Sequence, residues 1–152
     1  MIAIDTNLLV YAHRAATAEH EGAKKALMSA CHRPEGCGMS VASVAEFWCI
    51  ATHPSSSGRP STSDEASGFL RTLIEDGEMR IWRPGPGFEH RLMLRAAEHG
   101  IRGPRIFDLQ IGLMAIEGGA HELWTHDRGF VRLPGLRLHF PLDRPASSRA
   151  PE

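Results

Sequence analysis

Short apolar runs alternate along this chain with longer stretches of helical periodicity, and that alternation is what most restricts its fold. "MIAI" reads as a buried strand and "GCGMS", flanked by glycine, as a second. "MRIWRP" reads as a third, "ELWTHD" as a fourth and "LRLHF" as a fifth. Between them, "AEHEGAKKALMSAC", "VASVAEFWCIAT", "DEASGFLRTLIEDG", "FEHRLMLRAAEHG" and "DLQIGLMAIEGG" space their apolar residues as helices do. Ser40 is placed to cap the second of these, and the end of "HPSSSGRPSTS" to cap the third. Strands alternating with helices predict an α/β fold, a central parallel sheet of about five strands with helices on both faces. In such sheets ligands bind beyond the carboxyl ends of the strands, where the strand order reverses. Asp5, directly after the first strand, and Asp127, after "LWTH", take positions of that kind.

The 152 residues suit one domain, expected over 1–142, followed by a disordered tail "DRPASSRAPE" over 143–152. No apolar run approaches the ~20 residues that cross a bilayer, and the N-terminus lacks a basic region or cleavage site. A cytoplasmic protein is therefore expected. The odd number of cysteines, Cys31, Cys37 and Cys49, fits a reducing compartment. Cys31, His32 and Cys37 lack the paired spacing and the fourth ligand of a zinc site, and small core-filling thiols are the competing account. A net charge of −1 does not mark a nucleic-acid binder. Only two of the 17 basic residues are lysines, Lys24 and Lys25.

Four acids stand out, each with a plainer alternative. Asp5 in "Asp-Thr-Asn" is a good helix cap. Glu46 shares its helix stripe with Ala42, Ser43, Cys49 and Ile50, so it is either a boundary glutamate bending to water or a carboxylate needing a partner. Asp108 begins a helix, where an aspartate is favoured in any case. Asp127, before Arg-Gly, suits a turn. Taken together, these alternatives require four coincidences at one edge of one sheet. Four carboxylates there would repel one another unless a positive charge lay between them, and no lysine is near. A divalent cation answers this, and an all-oxygen site favours Mg2+ or Mn2+ over zinc.

"IDTNLLVYA", "SVASVAEFWCIATHP" and "FDLQIGLMAIEGGAHELWTHDRGFVRLPGL" resemble the PIN-domain ribonucleases, and among them the VapC toxins of bacterial toxin–antitoxin pairs. The resemblance runs from Met1 to about "LHFPL". It implies a single PIN-like domain in which Asp5, Glu46, Asp108 and Asp127 bind metal and carry catalysis. Thr6, Asn7 and Thr125 would support them by hydrogen bonding. It also implies an RNA substrate, a cognate antitoxin and a homodimer. Hydrolysis by metal-activated water would leave 5′-phosphate and 3′-hydroxyl ends. Arg102, Arg105, Arg128 and Arg132 flank the last two acids and are candidates for the RNA backbone; salt bridges to Glu117 and Glu122 are their alternative. Many relatives carry a further acid at the position of Gly129, so the number of metals is left open.

Rival chemistries fit less well. "DTN" partly resembles the Asp-x-Asp of haloacid dehalogenase-type phosphatases, but Asn7 replaces the second aspartate and no lysine is near. A metal-free ribonuclease using two of the nine histidines would leave a cyclic phosphate. His121 and His126 in "HELWTH" are five apart, against four in the zinc-protease motif. A non-catalytic module holding one structural cation is the remaining alternative.

Overall fold

In a computed structural model, residues 1–56 and 58–143 are described. The tail expected over 143–152 lies outside them except for Asp143. Five strands, β1 (Ile2–Ile4), β2 (Cys37–Ser40), β3 (Arg80–Trp82), β4 (Glu122–Trp124) and β5 (Arg137–His139), form one sheet in the order β3-β2-β1-β4-β5. Every neighbouring pair is parallel. The chain builds outward from β1 to β3, then returns to the other side of β1. The reversal therefore falls between β1 and β4.

Side chains alternate across the sheet as the pleat requires. Ile2, Ile4, Met39 and Trp124 join one buried cluster with Leu8, Leu9, Leu27, Phe47 and Leu70. Ala3, Leu123 and Trp82 join the other with Leu109, Ile111, Met114 and Phe130. Helices α1 (Thr6–His13), α2 (His20–Cys31), α3 (Val41–Thr52) and α4 (Ser63–Arg71) supply the first layer. Helices α5 (Phe88–Glu98) and α6 (Arg105–Glu117) supply most of the second. This is the expected three-layer α/β arrangement.

The caps follow the sequence. The Ser40 hydroxyl accepts from the Ser43 N–H at 3.0 Å, and Thr62 and Glu65 form a reciprocal capping box on α4. Two details differ from expectation. The apolar run after the Asp-Thr-Asn cap, not among the expected helices, forms the complete helix α1. The helix expected through "DEASGFLRTLIEDG" stays α-helical only to Arg71 and widens into a π-turn over Thr72–Asp76. There the Gly77 N–H reaches the Thr72 carbonyl at 3.0 Å, five residues back. Trp82 anchors the edge strand β3, because its indole lies where a side chain on Gly38 or Gly118 would otherwise stand.

The thiols of Cys31 and Cys37 are in contact at 2.7 Å, while the His32 ring turns its Nδ1 to the Met28 carbonyl at 2.6 Å. Cys37 is buried and its thiol packs directly on that of Cys31, as small core-filling thiols would.

Candidate metal-dependent active site

Parallel pairing of β1 with β4 sets Ile4 beside Trp124, so the residues that follow them, Asp5 and Thr125, emerge side by side. The Asp5 N–H donates to the Trp124 carbonyl at 3.0 Å and closes the end of this ladder. Asp5 is buried, with an exposure of 6 %, and caps α1: its Oδ1 accepts from the Thr6 N–H at 2.8 Å. Its Oδ2 accepts from the Thr125 hydroxyl at 2.6 Å and from Asn7 Nδ2 at 2.8 Å. The capping account of Asp5 is thus correct, and it does not compete with a role at the site.

Thr6, Asn7 and Thr125 bind the other parts together. The Thr6 hydroxyl donates to Glu46 Oε2 at 3.0 Å, tying α1 to α3. Asn7 Oδ1 accepts from the His126 N–H at 3.0 Å. Thr125 Oγ1 accepts from Asn7 Nδ2 at 3.1 Å and from the Asp127 N–H at 2.9 Å. The hydroxyl's donor and both acceptor positions are filled.

Glu46 is half-buried on the second turn of α3, and Asp108 is half-buried in the first turn of α6. Asp127 is exposed in the loop after β4, where its Oδ1 accepts from the Gly129 N–H at 2.7 Å. The turn expected at Asp127 is therefore present. Burial pushes the Asp5 carboxyl up to about 7; hydrogen bonds from Thr125 and Thr6 pull against this, and the charges of Glu46 and Asp108 add to it. Asp108 is pushed up to about 6, first by burial and then by Asp127 and Glu46, with Arg105 offsetting part of the rise. Asp5, Glu46 and Asp108 are thus within electrostatic reach of one another, and Asp127 is within reach of Asp108. Among the described residues, however, no three are drawn together at metal-coordinating separation. Their like charges nevertheless oppose one another, adding to burial in the rise of the Asp5 and Asp108 carboxyls. An all-oxygen donor set carrying that repulsion fits a hard divalent cation.

The arginines separate into groups that the sequence did not distinguish. Arg105 Nη2 donates to the Gly129 carbonyl at 3.3 Å and stands close to Asp108. Arg128 turns away, pairing with Asp143 and lying over the Phe140 ring at 4.3 Å from its centroid. Arg102 and Arg132 are exposed. The expected alternative pairing with Glu117 and Glu122 does not hold for these four, because Glu117 pairs with Arg91 at 2.6 Å and Glu122 with Arg137 at 2.8 Å. "HELWTH" is a strand with a histidine beyond each end, and His121 Nδ1 lies 2.9 Å from the Met1 amine. The zinc-protease reading falls on that geometry as well. Sequence reasoning missed how closely Arg105 approaches the acids, since only the fold brings the Asp127–Gly129 loop to the start of α6.

Comparisons with known proteins agree with this architecture. Ribonuclease VapC43 of Mycobacterium tuberculosis is 29 % identical over 143 residues, spanning 94 % of this chain and 97 % of the relative. The crystal structure of M. tuberculosis VapC20, described as a Sarcin-Ricin loop cleaving toxin, superposes with a TM-score of 0.66 at 17 % identity, covering 86 % of this chain and 92 % of that one. The structure of VapBC2 from Rickettsia felis, bound to a DNA fragment from its promoter, superposes with a TM-score of 0.60 at 20 % identity, covering 91 % and 98 %. The sequence model of the PIN domain matches residues 2–136, and with five parallel strands in the order described, this chain belongs to the PIN-domain family.

Proposed function

We propose that this protein is a magnesium- or manganese-dependent endoribonuclease, the toxin of a toxin–antitoxin pair, acting in the cytoplasm. The observation that supports the reading is the grouping of Asp5, Glu46, Asp108 and Asp127 about the β1–β4 switch point, where burial first, and then the neighbouring acids, push the Asp5 and Asp108 carboxyls up. Similarity to VapC ribonucleases selects RNA among phosphodiesters. A divalent cation held by these acids supplies Lewis-acid polarisation of phosphoryl oxygens and lowers the pKa of water.

The protein's own residues do the positioning. Asp5 is the most rigid ligand, fixed by three donors at the end of a buried strand. Asp108, from the first turn of α6, and Asp127, from the loop after β4, would contribute further oxygens to that cation. Thr6 holds Glu46 Oε2 and leaves Oε1 to orient the attacking water. Asn7 and Thr125 hold the Asp127 loop against the end of β1. Arg105, with the exposed Arg102 and Arg132, offers positive charge to the RNA backbone, whereas Arg128 is turned to Asp143.

Two apolar surfaces suit the two protein partners. A groove of ≈370 Å³ between α2 and α4, lined by Ala12, Leu27, Met28, Phe69 and Leu73, suits the apolar face of an antitoxin helix. A second, of ≈510 Å³, runs past Glu46 between Ile50 and Phe107. Its exposed apolar rim suits a second copy of the chain.

The deciding experiment is cleavage of single-stranded RNA by the purified chain. Cleavage should require Mg2+ or Mn2+ and leave ends that carry a 5′-phosphate. It should fall by about 10²-fold or more in Asp5→Asn and Asp108→Asn with circular dichroism unchanged. Full activity in chelator or in either variant defeats the proposal, and cyclic-phosphate ends would indicate a metal-free route. A chain that binds Mn2+ yet cuts no RNA would be the non-catalytic module instead. Co-expression with the neighbouring small open reading frame tests the antitoxin separately.

A further inference from the structure

We infer that Arg105 is the second positive charge of this active site, a phosphodiester-binding guanidinium standing where a second divalent cation would otherwise be needed. The inference rests on the ribonuclease reading and narrows it to one cation plus one arginine.

The placement comes from two elements. Arg105 opens α6 three residues before Asp108, so the two share one face of the helix. Its Nη2 also reaches across to the Gly129 carbonyl at 3.3 Å, and the Gly129 N–H in turn holds Asp127 Oδ1 at 2.7 Å. The guanidinium is thereby held between the helix that carries one acid and the loop that carries another. Its charge offsets part of the repulsion that Asp127 and Glu46 impose on Asp108.

It also keeps hydrogen-bonding capacity to offer. A guanidinium has five N–H donors, and only one is engaged by the Gly129 carbonyl. Among the described residues Arg105 forms no salt bridge, whereas Arg91, Arg128 and Arg137 are each paired with a carboxylate. Arg105 is exposed, so a phosphate can reach it. Its planar fork matches two phosphoryl oxygens, which a point charge does not.

The loop opposite supplies no further ligand at position 129. Gly129 has no side chain, and a Cβ there would lie 3.2 Å from Asp127 Oδ1, so a carboxylate at that position would require Asp127 to shift by a few tenths of an ångström. On the side of the cluster formed by Asp108 and Asp127, the chain presents a guanidinium where another cation would need a further carboxylate. As the nonbridging oxygens gain charge in the transition state, Arg105 would stabilise them from that side.

Mn2+ titration of the full chain by calorimetry, with no RNA present, should give one ion per chain. Arg105→Ala should bind that ion about fivefold more tightly, the order expected when one unit charge is removed from near a dication in a solvated cleft. The same variant should lose about 10²-fold in kcat on a labelled RNA oligonucleotide, with KM changed much less. Arg105→Lys should return Mn2+ affinity to the parent value while kcat stays low, because the charge is restored and the fork is not. Two Mn2+ ions bound to the parent would overturn the inference. Weaker Mn2+ binding in Arg105→Ala would make the residue a structural support of the 129 loop, and a rise in KM alone would move it to the outer RNA path. If the parent cuts no RNA, the ribonuclease reading fails. The titrations then judge Arg105 by themselves, with an unchanged affinity in Arg105→Ala counting against it.

Discussion

Thr125 shows how much of the site depends on one buried hydroxyl. It is fully buried, donates to Asp5 and accepts from Asn7 and the Asp127 backbone, so it joins β1, α1 and the loop after β4. Thr125→Val keeps the shape and leaves a buried carboxylate and two N–H donors short of a partner. It should cost about 1–3 kcal/mol in a denaturant melt, while Thr125→Ser stays close to the parent. A Val variant as stable as the parent would mean that water replaces the hydroxyl. Asp108 behaves in the opposite sense, because its charge is opposed by burial, Asp127 and Glu46. In chelator at pH 8, Asp108→Asn should therefore melt higher than the parent. Relief of about 1 kcal/mol corresponds to roughly 2–4 °C in a chain of this size. A lower melting temperature would show that the helix-start role of Asp108 outweighs the repulsion.

At the scale of elements, β4 and β5 are joined by a pair that the register sets directly opposite, Glu122 and Arg137. Glu122 is buried, and Trp124 Nε1 donates to its Oε1 at 3.0 Å while Arg137 Nη2 donates to Oε2 at 2.8 Å. Burial alone would raise its pKa, but the Arg137 and Trp124 hydrogen bonds and the charges of Arg137 and His139 outweigh burial and hold it below the usual glutamate value of 4.5. A depressed carboxylate pKa stabilises the fold above the unfolded-state value, and that contribution disappears as pH falls through the folded-state value. Glu122→Gln should therefore be less stable than the parent at pH 7, by at most about 1 kcal/mol given the exposed arginine. The difference should shrink steadily below about pH 4.5. Melts at pH 7, 5 and 3 decide it, and a gap that does not change with pH would assign the effect to packing.

For the whole molecule, the surface beside the acids is what points to self-association. Phe47 and Trp48 are adjacent in sequence, yet Phe47 is fully buried and Trp48 is 38 % exposed. Ile50, 37 % exposed, and Phe107, 58 % exposed, line the groove past Glu46. Apolar surface of this kind marks interfaces more often than free solvent faces. Sedimentation should show a dimer at micromolar concentration, and Phe107→Asp should shift it to a monomer that still folds. A monomeric parent would leave this face to another partner.

The alternation of strands and helices, the caps at Ser40 and Thr62, and the four candidate acids were all legible in the sequence, because periodicity, capping and residue chemistry are local properties. Helix α1 and the π-turn after Arg71 were not, since a short apolar run and a late change in helix pitch are settled by what packs on them. Within the site, the sequence showed that Asp5 ends a strand. Only the tertiary structure placed Thr125, 120 positions away, within 2.6 Å of it. The same holds for the Thr6 hydroxyl on Glu46, for Asp127 turned onto the Gly129 N–H, and for Arg105 drawn to that loop. Each of these depends on strand order, and strand order follows from how the two buried faces of the sheet are covered. No window of sequence contains that information: β1 pairs with β2 and β4 across long intervening segments whose helices cover the two faces of the sheet.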